Sequence, residues 1–173
     1  ASRNMLDLYR AFKGDIPGSP IDQSVGRIFY HAAWCSIVYR LNLFCEYIHA
    51  PFYGMDDIWH DEGGELSELM LRDLYATIDD CSNFSVKYAV LHAIIGMDNI
   101  TPTELGLERL DDVVDYAVKK NVFLAFENTE GEMYLEAILK RYRDVANVGF
   151  CFDSGHELCY NYGKDMISLY GDR

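Results

Sequence analysis

Four short runs of β-prone apolar residues, each followed by a polar turn and then a stretch of helical period, restrict most strongly what this chain can fold into. The runs are Glu46 to Phe52, Tyr88 to Ile95, Val122 to Phe126 and Val148 to Phe152. Each is nearly continuous in apolar residues, as strands of a parallel sheet covered by helices require. The intervening stretches predict helices. Leu66 to Ile78 sets Leu66, Leu69, Met70, Leu74 and Ile78 on one face, and Leu107 to Val118 does the same with Leu107, Leu110, Val113, Val114, Ala117 and Val118. Thr103 suits the cap of the second of these. Met133 to Tyr142 reads as a third, shorter helix and Asp165 to Tyr170 as part of a fourth.

Repeated strand–helix units specify an α/β architecture, either doubly wound or barrel. No Gly-x-Gly-x-x-Gly follows any of the runs and no phosphate-binding Gly-x-x-x-x-Gly-Lys-Ser/Thr occurs, which removes support from nucleotide-binding versions of the doubly wound fold. Ahead of residue 45 the pattern is less regular. Asn4 to Phe12 looks helical, Asp15 to Pro20 is a Gly/Pro loop, and Val25 to Phe44 is apolar without a clear period.

In parallel α/β folds ligands gather at the carboxyl ends of the strands, where side chains leave the packed core. The polar residues found there are His49, His92, Glu127 with Asn128, and Asp153 with His156. Four successive strands thus each deliver a His, Glu or Asp to one edge. Imidazole nitrogen and carboxylate oxygen suit zinc, manganese or magnesium, and the carboxylates supply the charge that offsets desolvation of the cation. Gly155 permits a turn that could bring Asp153 and His156 to one cavity. The alternative is that Asp153 caps the segment after it and His156 only packs. His60, in the polar stretch Trp59 to Gly64, is expected to be solvent-exposed, and Phe52, Tyr53 and Trp59 either wall a pocket or lid the core. Glu130 and Glu132 flank Gly131 where carboxylates favour a helix start.

Fifteen basic residues against 28 acidic ones give a formal charge of −13, which disfavours nucleic acid as a partner. The five cysteines are widely spaced with no Cys-x-x-Cys pair, arguing against a disulfide framework or a thiolate zinc site and for a reducing, cytoplasmic setting. No targeting or membrane segment is recognisable.

Taken in order, Ile-His-Ala-Pro-Phe (48–52), Val-Leu-His (90–92), Phe-Glu-Asn-Thr-Glu-Gly (126–131) and Phe-Asp-Ser-Gly-His (152–156) resemble the xylose-isomerase-like TIM-barrel superfamily, which includes sugar phosphate isomerase/epimerase proteins and the endonuclease IV type of AP endonuclease. The resemblance covers residues 45–173 and implies a partial (β/α)8 TIM barrel with parallel strands, lacking the C-terminal strands. With 173 residues against the roughly 250 of a closed barrel, the expectation is a single incomplete domain over 1–173.

By that resemblance Glu127 and Asp153 are metal ligands for manganese, zinc, cobalt or magnesium, and Glu127 and His156 are catalytic. His49, His92, Asn128 and His156 contact substrate, while the remaining ligands of the family's metal shell would lie on strands beyond Arg173. The implied activity is metal-dependent isomerisation or epimerisation of a small sugar or sugar phosphate. One alternative is an endonuclease IV-like zinc phosphodiesterase acting on abasic DNA, in which His49 and His92 also bind metal. Another is a noncatalytic remnant that self-associates as a homo-oligomer through its open edges.

Overall fold

The computed structural model describes residues 45–96 and 101–173. The expectations for Asn4 to Phe12, Asp15 to Pro20 and Val25 to Phe44 lie outside these residues. Within them, β1 (Tyr47–His49), β2 (Tyr88–His92), β3 (Phe123–Glu127) and β4 (Val148–Cys151) form one sheet in sequence order. Every neighbouring pair is parallel, with His92 opposite Glu127 and Glu127 opposite Cys151. This is the α/β arrangement with parallel strands that the apolar runs predict.

β1, β2 and β4 are shorter than the runs that announce them. After β1, Ala50 N–H still reaches Val90 O at 2.8 Å, but Pro51 has no N–H to continue the ladder. Past β2 the Ala93 carbonyl accepts instead from the Trp59 indole N–H at 2.8 Å. β3 runs one residue further than its apolar run, and Glu127 is therefore a strand residue held by both neighbours.

Helices α1 (Met55–His60), α2 (Glu65–Asn83), α3 (Glu104–Lys120), α4 (Glu132–Arg141), α5 (Ser154–Tyr160) and α6 (Met166–Tyr170) complete the described chain. Helix α2 packs on β1 and β2, α3 on β3 and α4 on β4. Strand alternation divides the sheet. Ile48, Ala89, Leu91, Leu124, Phe126 and Val148 are buried in the core with the helices. Tyr47, His49, Tyr88, Val90, Ala125 and Glu127 instead line a groove of about 880 Å³.

Two helix faces differ from the sequence expectation. On α2, Met70, Leu74 and Ile78 are buried but Leu66 and Leu69 are exposed; Ser67, Asp73, Thr77 and Cys81 fill out the buried face. On α3, Val118 is exposed while Leu110, Val113, Val114 and Ala117 are buried. The apolar stripe of an amphipathic helix is wider than the strip its neighbours cover. Thr103 caps α3 as expected, its hydroxyl accepting from Gly106 N–H at 3.1 Å.

Helix α1 has no helical apolar period to announce it, and its last two residues, Trp59 and His60, open the polar stretch that runs to Gly64. Tertiary contacts hold it. Met55, Ile58 and Trp59 are fully buried, and the Arg109 guanidinium donates to the carbonyls of Asp57, Ile58 and Asp61, tying the C-terminal end of α1 to α3. Trp59 is therefore a core residue and not a pocket wall. His60, expected in solvent, is half-buried at the end of α1 with Nε2 2.9 Å from the Tyr134 hydroxyl.

The four described cysteines, Cys45, Cys81, Cys151 and Cys159, are free. Among the described residues no helix is long and apolar enough to cross a membrane.

Candidate metal centre

The parallel register brings the polar strand ends together around Glu127. This carboxylate is buried at 4 % exposure, and two imidazoles address the same oxygen: His49 Nε2 lies 2.9 Å and His92 Nε2 2.6 Å from Oε1. Burial pushes the Glu127 carboxyl up, but the hydrogen bonds from His49 and His92, reinforced by their charge, outweigh it and hold the group at about 2. Glu127 is a carboxylate at any physiological pH.

His49 is placed as a cation. Its Nε2 faces Glu127 and its Nδ1 lies 2.7 Å from the Ala50 carbonyl oxygen, so both ring nitrogens meet acceptors and both must donate. The Glu127 hydrogen bond, partly opposed by burial, raises its pKa. His92 is fixed differently: the Phe52 ring stacks on it at 4.4 Å and 11°. Its Nδ1 is buried with no hydrogen-bond partner among the described residues.

From the other side come Asp153 and His156. Asp153 caps α5, Oδ1 accepting from His156 N–H at 2.8 Å, which is the first half of the capping alternative. A carboxylate has further lone pairs, and capping leaves it able to serve as a ligand. The His156 ring reaches the cluster, its centroid 5.6 Å from that of His92, and its Nδ1 is buried without a hydrogen-bond partner among the described residues.

The outcome is two overlapping donor sets joined at Glu127. One is His49, His92 and Glu127; the other is Glu127, Asp153 and His156; donor atoms within each lie within 4.8 Å of one another. Nitrogen and oxygen donors at these separations, with buried imidazole nitrogens lacking partners, fit a divalent cation.

Asn128 stands apart from the substrate contact expected of it. It is fully buried, and its carboxamide is committed to the chain: Oδ1 accepts from Asp153 N–H at 2.7 Å, while Nδ2 donates to Asp153 O at 2.8 Å and Asn161 Oδ1 at 3.0 Å. Immediately after β3 the chain turns, Thr129 N–H bonding Glu127 O at 3.0 Å, and this swings Asn128 inward.

Sequence reasoning missed Asn161, which lies in a polar stretch carrying no motif, and Cys151, opposite Glu127. Burial, with the charges of Glu127 and Asp153 beside it, pushes the Cys151 thiol up, which keeps it protonated and a poor ligand. Glu130, read as a helix-start charge, accepts from Gly96 N–H at 2.7 Å and ties together the loops after β2 and β3.

No protein-family model and no curated relative matches the chain. Solved structures do match. The TTHB071 protein from Thermus thermophilus, soaked with ZnCl2, is 28 % identical over 72 % of this chain and 52 % of its own, with a TM-score of 0.57. An L-ribulose 3-epimerase is 16 % identical over 80 % of this chain and 50 % of its own, TM-score 0.60. A xylose isomerase-like TIM barrel protein from Mycobacterium smegmatis, in complex with magnesium, is 16 % identical over 78 % and 49 %, TM-score 0.56. The chain spans about half the length of these structures. With four parallel strands in sequence order and that coverage, its fold is that of a partial TIM barrel.

Proposed function

We propose that the cluster around Glu127 binds a divalent metal ion, manganese, zinc, cobalt or magnesium, and serves proton transfer on a small sugar or sugar phosphate, as in isomerisation or epimerisation. The observation that carries this reading is one buried carboxylate shared by two donor sets. Glu127, Asp153 and His156 are the proposed holders of the ion. When bound, the ion supplies a Lewis acid that polarises carbonyl and hydroxyl oxygens.

The residues themselves have distinct tasks. Glu127 is the proposed acid/base carboxylate: His49 and His92 hold its pKa down, and its basicity rises with burial when an imidazole turns from it to substrate. His49 keeps positive charge beside that carboxylate, and its Nε2–H would turn from Glu127 to reach a substrate oxygen. His156 and His92 each have a buried Nδ1 without a partner among the described residues, available to an ion or a substrate hydroxyl.

The test couples binding with chemistry. Calorimetric titration with Mn²⁺ should show binding that Glu127→Ala abolishes, and loaded protein should exchange the C–H beside the carbonyl of a ketose with solvent deuterium. Binding that is indifferent to Glu127, or no exchange across a panel of ketoses and ketose phosphates, would sink the reading.

A second reading is favoured by one observation, the convergence of His49 and His92 on Glu127 Oε1. With both imidazoles as ligands the site suits a zinc phosphodiesterase acting on abasic DNA, in which metal ions activate water. Two ions per chain, salt-dependent DNA binding and cleavage at abasic sites would select it over the sugar reading.

A further inference from the structure

Helix α5 carries His156 and is capped by Asp153, yet none of its residues is buried. Its side chains are half-buried at most, so apolar packing contributes little to fixing it. Both of its ends are nevertheless held to the loop after β3. At the start, the Asn128 carboxamide grips the Asp153 backbone at two points, accepting from its N–H at 2.7 Å and donating to its carbonyl at 2.8 Å. This imitates a ladder pair at the place where the β3 backbone has already turned away.

At the other end stands Asn161, the C-terminal cap residue of α5, only 3 % exposed. Its Oδ1 accepts the second Asn128 N–H at 3.0 Å, and its Nδ2 donates to Thr129 O at 3.2 Å. The hydrogens of the Asn128 amide are both used, and the two side chains bind one another with little solvent access. A polar network that is buried and satisfied fixes geometry sharply, because any other arrangement leaves unpaired amide groups.

We infer that Asn128 and Asn161 are positioning residues: a two-asparagine clamp that holds α5 across the end of β3 and thereby sets Asp153 and His156 against Glu127. The inference rests on the metal-binding reading of those three residues. Glu127 is placed by the sheet and Asp153 and His156 by the clamp, so the clamp decides whether the second donor set closes. Loss of groups that orient metal ligands costs about 10- to 100-fold in affinity.

The experiment titrates Co²⁺ into wild-type protein, Asn161→Ala, Asn128→Ala and Glu127→Ala, following heat and the visible absorption of the bound ion. The clamp predicts a loss of about tenfold or more in affinity for either asparagine variant, with a changed Co²⁺ spectrum reporting altered ligand geometry. Wild-type affinity and spectrum in both asparagine variants, while Glu127→Ala loses binding, would overturn the clamp and leave the site intact. Wild-type binding in Glu127→Ala would overturn the site reading, and the clamp's role with it. Should the asparagine variants not fold, amide exchange in the wild-type chain decides. The Asp153 N–H lies outside any strand, and with the clamp it exchanges as slowly as the amides of β3; exchange at a free-loop rate would refute it.

Discussion

The rings of Phe52 and His92 lie nearly parallel, 4.4 Å apart, with the imidazole Nε2 2.6 Å from Glu127. The stack comes from the loop after β1 and the end of β2, so the aromatic residue following one strand orients the polar residue ending the next. Aromatic pairs of this kind are worth about 0.5–1.5 kcal/mol beyond their burial. Phe52→Ala should therefore leave the fold intact and weaken Co²⁺ or Mn²⁺ binding by about two- to tenfold, read by calorimetry. Unchanged affinity would show that His92 is held by Glu127 alone.

The Glu127 carboxylate holds the proton on His49. In Glu127→Gln, the His49 pKa should fall from its raised value, because the largest favourable contribution is gone while burial still opposes the charge. A ¹⁵N-resolved NMR titration of the imidazoles reads this directly. An unmoved His49 titration would mean that the pairing does not exist in solution.

The same pair sets a pH window for the stability of the metal-free chain. His49 has a raised folded pKa, so its contribution is complete below its ordinary value of 6.5 and is lost as pH rises through the raised value. Glu127 is held down at about 2, so its contribution is present above its ordinary value of 4.5 and is lost as pH falls toward about 2. Both are present together between those ordinary values. The difference in urea midpoint between wild type and Glu127→Gln should peak in that interval and shrink on either side.

Metal binding carries the opposite dependence on the basic side. An ion at Glu127 competes with the His49 proton, so uptake should release protons and affinity should rise as pH climbs through the raised His49 value. Calorimetry in two buffers of different ionisation enthalpy counts the protons. No proton release near neutral pH would place the ion away from this carboxylate.

Gly106 offers a test of the fold alone. A Cβ there would stand 2.2 Å from Trp59 Cε3, the ring whose indole N–H bonds the Ala93 carbonyl. In an exposed helix Gly→Ala gains about 1 kcal/mol. Here overpacking against a buried ring should dominate, and Gly106→Ala should destabilise by about 1–3 kcal/mol in urea unfolding.

The parallel strands and the helices α2, α3 and α4 were legible in the sequence because burial under helices demands nearly continuous apolar strands and a 3.6-residue period between them. For the same reason His49, His92, Glu127, Asp153 and His156 could be singled out, as polar residues standing at the ends of apolar runs. Helices α1 and α5 could not be read this way. One is stabilised by Trp59 and by Arg109 from another helix, and the other buries no residue at all.

Nor could the role of Asn128 be read. Motif reasoning made it a substrate contact, whereas the turn after Glu127 folds its carboxamide onto the backbone of Asp153 and the side chain of Asn161. The sequence by itself determined the four strands, the helices α2, α3 and α4, and which side chains reach the carboxyl edge, since local period and polarity dictate these. Only the tertiary structure decided that two imidazoles meet a single Glu127 oxygen and that a pair of asparagines pins α5 beside it. Those are relations between residues 25 to 78 positions apart, fixed by strand register and buried hydrogen bonds that no local pattern encodes.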